Sequence, residues 1–456
     1  MESEAQNRNM VKDLNVEEGE CSEPVSPTGQ YFNSSVLSIS VLAVLDSEIP
    51  IDDSPALTLL RDVFLPINPR FSSVMVEDEN GEKKWKKVEV KVEDHVNIPI
   101  FPPGLSPESY DNHLGDYLSK IAMEQLPHKR PLWNIHIIKY PTSHAADNPT
   151  VPLTFPSLAS VPTPKLSLES NGIFRNIPNV IWSALNTVSD FGWSLLKSTC
   201  VEDDTSLIRS GDAGVQFKPV VISTITFSLH HIKQIKTKLG VTINDVITGI
   251  IFLGTRLYMH GTVGASNKLN NEHSTALVLL NTRTIGGYTS VKEMVKPDAE
   301  SAWGNQFGFL HVSLPELSSV ESCHPLDFVW KAQKLIQRKR NSSAVFLTGQ
   351  LLECLRKYTG PEATAKYIHN TLKNSSMTIS NVIGPVERMA LADHPVKGLY
   401  FMVVGVPQSL TITMVSYMGK LRVAVGTEKG YIDPTKFKSS VETAFGMILN
   451  ASQEIG

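Results

Sequence analysis

The sequence predicts an α+β protein made of two similar two-layer halves, and two observations carry that expectation. The chain has 456 residues, 41% of them hydrophobic, which is globular composition and too much for one ordinary core, so two domains are expected. Helical and extended patterns occur in both halves without the regular strand-helix-strand alternation of a parallel sheet, which points to helices layered on mixed sheets.

In chain order, residues 1–23 hold Glu2, Glu4, Asp13, Glu17, Glu18, Glu20 and Glu23 against Arg8 and Lys12. Without an apolar stretch of signal-peptide type, this reads as a disordered acidic tail. A first domain is expected over residues 24–155. Val36 to Leu45 alternates and is rich in branched residues, so it predicts a buried strand. Ser72 to Glu79 and Lys83 to Val92 flank Asn80-Gly81, whose tolerance of positive φ predicts a hairpin turn. The lysines around Trp85 alternate with Val88, Val90 and Val92 and read as a solvated strand face. Tyr110, Leu114, Tyr117, Leu118, Ile121, Ala122 and Leu126 recur at helical spacing, which predicts an amphipathic helix over Ser109 to Leu126. Pro131-Leu132-Trp133 and a strand through Ile135, His136, Ile137 and Ile138 follow. From His144 to Pro164, the prolines Pro149, Pro152, Pro156, Pro162 and Pro164 predict loop.

A linker is expected over residues 156–215, with one helix inside it at 177–196. Ile177, Ile181, Leu185, Val188 and Phe191 share a face there. Asn186, Ser189 and Asp190 interrupt the apolar run that a membrane span of roughly twenty residues requires, so the better reading is an amphipathic helix lying on a membrane or on the protein.

The second domain, residues 216–456, opens with a strand from Val220 to Leu229. Thr242 then starts a helix, with Asp245 three residues on approximating a capping box and Ile243, Val246, Ile247, Ile250 and Leu257 as its buried stripe. Thr275 to Leu280 and Phe307 to Ser313 read as strands, and Pro325 to Arg340 as a helix. Met377 to Val382, Leu399 to Val404, Leu410 to Tyr417 and Leu421 to Val425 read as one sheet, the last two paired across Met418-Gly419-Lys420. Phe437, Val441, Phe445 and Ile448 mark a closing helix.

Bulk properties remove several function classes. The net charge is -4 from 42 basic and 46 acidic residues, with no basic block to attract nucleic acid. Cys21, Cys200, Cys323 and Cys354 lie too far apart for a metal site or a disulfide framework and read as free thiols. No Gly-x-Ser-x-Gly elbow, phosphate-binding glycine loop or metal-ligand cluster occurs.

Five segments carry a resemblance. They are Pro131-Leu132-Trp133 with Ile135-His136; Thr242-Ile243-Asn244-Asp245-Val246; Asn281-Thr282-Arg283; Gly304-Asn305-Gln306-Phe307-Gly308; and Asn381-Val382-Ile383-Gly384-Pro385. In this order and spacing they resemble the plant branch of the wax ester synthase/diacylglycerol acyltransferase family, from about Pro24 onward, and residues 325–452 resemble that family's C-terminal domain. The resemblance implies the fold of chloramphenicol acetyltransferase and other CoA-dependent acyltransferases, two halves facing across a tunnel. It further implies acyl-CoA as co-substrate with no bound cofactor, and a long-chain alcohol or diacylglycerol as acceptor. The expected setting is a membrane surface, the cytoplasmic face of the endoplasmic reticulum or another membrane.

The family's catalytic motif, His-His-x-x-x-Asp-Gly shortly after the Pro-Leu-Trp strand, is not in this sequence. Its second histidine would deprotonate the alcohol as it attacks the thioester, since an alcohol is a poor nucleophile. Here His144-Ala145-Ala146-Asp147-Asn148 runs straight into Pro149-Thr150-Val151-Pro152, where the family places a strand and a helix. The first half is therefore expected to be incomplete, through an omitted exon or divergence to a non-catalytic member. His230-His231 lacks the aspartate and glycine, whose positions hold Ile235 and Lys236, and reads as a polar helix start. His136 is the remaining candidate, on a strand that faces the tunnel or simply packs. Pro131, Leu132 and Trp133 read as tunnel lining or as a strand anchor. Asn244 and Asp245 read as a cap that positions the halves. Asn305, Asn381, Gly384 and Pro385 read as turn residues that shape the acyl channel. Either a weakened acyltransferase or an acyl-CoA- and lipid-binding pseudoenzyme follows.

Overall fold

The computed structural model describes residues 21–79, 83–143, 150–156, 177–263, 273–281, 307–317 and 324–455. The first half holds β1 (Cys21–Pro24), α1 (Pro27–Phe32), β2 (Ser40–Ser47) and α2, which runs from Ala56–Leu59 through a π turn at Leu60–Phe64 to Leu65–Ile67. It continues with β3 (Ser73–Glu77), β4 (Lys83–Lys87), β5 (Val96–Asn97), α3 (Pro107–Ile121), β6 (Asn134–His136) and β7 (Thr150–Pro156). Next come α4 (Ile177–Thr199), β8 (Val220–Ser228), α5 (Leu229–Leu239), α6 (Ile243–Val263), β9 (Thr275–Asn281) and β10 (Phe307–Ser313). The chain closes with α7 (Leu326–Asn341), α8 (Ala344–Thr359), α9 (Pro361–Lys373), β11 (Met377–Ile383), β12 (Ala390–Leu391), β13 (His394–Val404), β14 (Leu410–Tyr417), β15 (Lys420–Glu428) and α10 (Pro434–Glu454).

Two six-stranded sheets result, in the orders β12-β13-β2-β7-β6-β5 and β10-β9-β11-β14-β15-β8, beside a small β1-β4-β3 sheet. This is the expected α+β architecture made twice. The hairpin β3-β4 forms with Glu77 opposite Lys83, and its Asn80-Gly81 turn lies outside the described residues. Tyr417 pairs with Lys420 across Met418 and Gly419, whose φ of 47° and 73° are the two positive angles that a tight hairpin turn requires.

Three expectations are corrected. Cys21–Pro24 is a strand on β4, so the acidic tail stops short of residue 23. Thr150–Pro156, expected as loop, is a central strand: it pairs antiparallel with β2 over seven positions, from Asp46↔Thr150 to Ser40↔Pro156. Proline has no N–H to give to a ladder. β6, on the other side, pairs only with Leu153 and Thr154, which leaves Pro152 and Pro156 outside that ladder. Leu399 to Val404 does not join the second sheet. As part of β13 it crosses to the first and pairs with β2, Leu399↔Leu45 through Val404↔Ser40. Its continuous apolar run suits burial on both faces but does not name the neighbouring strand. α2 and the helices α8 and α9 were not foreseen at all.

The larger core lies in the second half, where the sheet packs on α6, α7 and α10 around Ile247, Phe252, Phe328 and Phe437. Two glycines make that approach close. A Cβ on Gly249 would lie 2.8 Å from Val329 Cα of α7, and one on Gly254 would lie 2.7 Å from Val441 Cα of α10. The first half has a thinner core. Leu42, Val44, Leu114, Leu118 and Ile138 pack toward Val415 and Ala424 of the second half. On the other face of its sheet, Leu60, Phe71, Val92, Trp133, Ile135 and Ile137 form a small cluster under α2.

The helix α4 turns its polar face inward. Asp190, Ser194, Lys197 and Ser198 are buried while Val188, Trp193, Leu195 and Leu196 are exposed. Arg338 and Lys339 of α7 reach Asp190 at 3.1 and 2.8 Å, and Thr371 of α9 donates to Ser198 at 2.7 Å. Periodicity had found an apolar stripe; which face meets protein was decided by these buried charges. Among the described residues no single helix is long and apolar enough to cross a membrane.

Candidate functional site

Two of the motif segments meet where the second sheet packs on α6. Asn381, on β11, donates from Nδ2 to Oδ1 of Asn244 in the first turn of α6 at 2.7 Å, linking two segments 137 residues apart. Asn244 is held there by the cap that the sequence predicted. Thr242 donates from its N–H and hydroxyl to Asp245 Oδ2 at 2.9 and 2.8 Å, and Asp245 N–H donates back to Thr242 Oγ1 at 3.2 Å. Asp245 is buried and committed to this box, so it shapes the helix start and is not a free acid or base. Gly384 ends the strand where a Cβ would lie 2.1 Å from the Ser416 carbonyl oxygen of β14, so only glycine fits before Pro385 turns the chain away.

On the facing side, His136 is buried on β6. Its Nδ1 lies 2.7 Å from the Tyr117 hydroxyl of α3. Burial pulls the imidazole down to about 4 and pushes the Tyr117 phenol up to about 12. A base of that strength is far from neutral pH, where proton transfer from an alcohol is most effective. The Tyr117 hydroxyl occupies Nδ1, so Nε2 is the ring nitrogen left to face an alcohol. Tyr117 and Ile138 share an apolar cluster with Val382, so both halves contribute to the layer around His136; Asn381, next to Val382 on the strand, points to the opposite face, toward α6.

A buried charge pair ties the sheets beside it. Arg422 of β15 bonds Asp46 of β2, and its guanidinium lies 5.6 Å from the Tyr400 ring centroid on β13. Neither residue was singled out by sequence, since a charge on a strand shows its partner only once the halves are docked. A cavity between the halves, with Ala122, Met402, Gln408 and Glu428 in its wall, measures about 10 Å³, room for one water rather than an acyl chain.

Other sequence candidates fall elsewhere. Trp133 is an anchor: its Nε1 donates to the Phe71 carbonyl at 2.9 Å, its ring stacks on His95 at 4.0 Å, and it packs in the cluster under α2, with Pro131 and Leu132 just before it in the chain. His230 and His231 are exposed in the first turn of α5. Asn305 and His144 lie outside the described residues. His311 on β10 was missed. It is buried with Nε2 unpartnered among the described residues, and burial, then Lys339 and Lys197, pull it down to about 3. Cys200 and Cys354 are exposed free thiols. Among the described residues no three His, Cys, Asp or Glu side chains cluster as metal ligands.

The chain is similar to known proteins over most of its length. Residues 303–449 match the family model for the WS/DGAT C-terminal domain. Wax ester synthase/diacylglycerol acyltransferase 4 of Arabidopsis thaliana is 27% identical, covering 92% of this chain and 87% of its own length. Number 8 of the same plant is 28% identical, covering 92% and 94%. The first alignment runs over 464 positions, more than the 456 residues of the chain, so that relative carries stretches with no counterpart here. Among solved structures, a wax ester synthase/diacylglycerol acyltransferase from Marinobacter aquaeolei superposes with a TM-score of 0.57 at 15% identity, covering 94% of this chain and 99% of that one. A condensation domain from Monacolin K polyketide synthase gives 0.52 at 11%, covering 95% and 97%. The fold is that of the CoA-dependent acyltransferases, as expected.

Proposed function

From the match of residues 303–449 to the WS/DGAT C-terminal domain and the similarity of most of the chain to wax ester synthase/diacylglycerol acyltransferases, we propose a specific and weakened version of that O-acyltransferase activity. The chain takes acyl-CoA as co-substrate, with a long-chain alcohol or diacylglycerol as acceptor, between its two halves, and as written it joins them slowly or not at all. The observation that carries this is His136, which is buried, bonded to Tyr117 and held at about 4. Losing a general base costs roughly 10²- to 10⁴-fold in rate. Positioning by Asn244 and Asn381 survives, so binding outlasts chemistry.

The exposed apolar residues of α4, with Phe346 of α8 also exposed, support a seat on a membrane surface, where both acceptor types dissolve. The cytoplasmic face of the endoplasmic reticulum is the proposed location. Insertion of a His-His-x-x-x-Asp-Gly strand-helix segment between Asn148 and Pro149 is expected to raise esterification by purified protein at least about 100-fold. Equal rates before and after insertion would sink the proposal. Saturable acyl-CoA binding without turnover in the unmodified chain would place it as a non-catalytic lipid-binding member.

A further inference from the structure

The outer face of the first sheet, the side turned away from the second half, carries a cleft of about 270 Å³ with almost wholly aliphatic walls. One wall is α2, with Ala56, Leu60, Val63 and Ile67 in line; the other is the sheet, with Leu45, Ile137 and Val396. Leu45 and Val44 are neighbours on β2, so they point to opposite faces. Val44 packs toward the second half, which separates the cleft from the proposed acyl-transfer site by the thickness of the sheet. The stripe from Ala56 to Ile67 runs the length of α2 and makes the cleft elongated.

Its mouth is polar, and the polar groups are already partnered. Asp52 N–H donates to His394 Nε2 at 2.9 Å, His394 Nδ1 bonds the Ala392 carbonyl at 2.6 Å, and Lys139 pairs with Asp53. Two carboxylates against one ammonium leave the rim negative. Walls of this kind offer water few partners and favour an apolar ligand. Its length selects a linear chain, and its rim selects against an anionic head group.

We propose that this cleft is a second lipid site, which binds the alkyl chain of a fatty alcohol with the hydroxyl at the Asp52 and Asp53 rim. It stands apart from the acyl-transfer reading, since neither Asn244, Asn381 nor His136 takes part. The test is competition of octanol, decanol, dodecanol and the matching fatty acids against a fluorescent alkyl probe on the full chain, with acyl-CoA binding measured in parallel.

Affinity rises about fourfold per added methylene until the cleft is filled, and each alcohol binds more tightly than its acid. Ala56→Trp or Val63→Trp, each adding more than the space of two methylenes, weakens dodecanol binding about tenfold or more and leaves acyl-CoA binding unchanged. Val63 is 54% exposed, so its variant keeps the fold, which a thermal melt verifies. An affinity independent of chain length overturns the proposal, as does equal binding by wild type and the Val63 variant. Parallel loss of acyl-CoA binding would assign the probe to the site between the sheets and equally refute the cleft.

Discussion

Truncation of Asp203 offers a sharp test of how α4 is held. Its carboxylate pairs with Lys197 of α4, and the two side chains are 0% and 3% exposed. It also accepts from Thr275 N–H at 2.6 Å, Thr275 Oγ1 at 2.9 Å and Ser376 Oγ at 2.6 Å, at the starts of β9 and β11. Asp203→Ala leaves a buried ammonium and several donors without an acceptor. Removing one partner of a buried ion pair costs about 3–5 kcal/mol, and the stranded donors overlap with that figure rather than adding in full. A loss of about 4 kcal/mol is a large fraction of the 5–15 kcal/mol typical of a folded domain. Lys197→Met with Asp203→Leu removes both charges together and should recover most of the loss. A two-half chain does not unfold in one step, so hydrogen exchange read peptide by peptide across α4 and β9, alongside urea unfolding, is the assay. Unchanged protection of α4 in Asp203→Ala would refute the reasoning, as would a double variant worse than the single one.

Three further outcomes are expected. His136, lowered from 6.5 to about 4 by burial, favours the fold as the neutral ring. Its contribution is full above about pH 6.5 and is lost as pH falls toward 4, on the order of 3 kcal/mol. His136→Gln should flatten the stability curve in that window, which acid titration of urea midpoints checks. Gly384→Ala forces a Cβ to 2.1 Å from Ser416 O and should cost about 1–3 kcal/mol or more by overpacking; a midpoint equal to wild type would contradict the close approach. Leu195→Ser with Leu196→Ser, both on the exposed face of α4, should weaken co-flotation with neutral lipid vesicles while leaving the melting temperature unchanged. Unchanged flotation would remove α4 from the membrane seat.

The sequence by itself determined the elements whose signals are local. The Thr242–Asp245 cap, the Met418-Gly419 turn and the apolar stripes of α3, α6 and α10 depend on neighbours a few residues away, so spacing and residue type suffice to read them. It also carried the resemblance to the wax ester synthase/diacylglycerol acyltransferase family, through segments whose order survives, and the absence of the histidine motif. Tertiary structure alone decided what depends on distant partners. Thr150–Pro156 reads as loop because its prolines disfavour a ladder, yet β2 is there to pair with it. The apolar run of β13 suits either sheet, and only docking against β2 assigns it to the first. α4 shows the same limit: its polar side is the inner one because Arg338, Lys339 and Asp203 meet it there. His136 was legible as a candidate, but its role was not. The Tyr117 hydroxyl and the apolar packing that lower its basicity come from elements brought together only by folding, and burial is a property of the assembled neighbours, not of the residue.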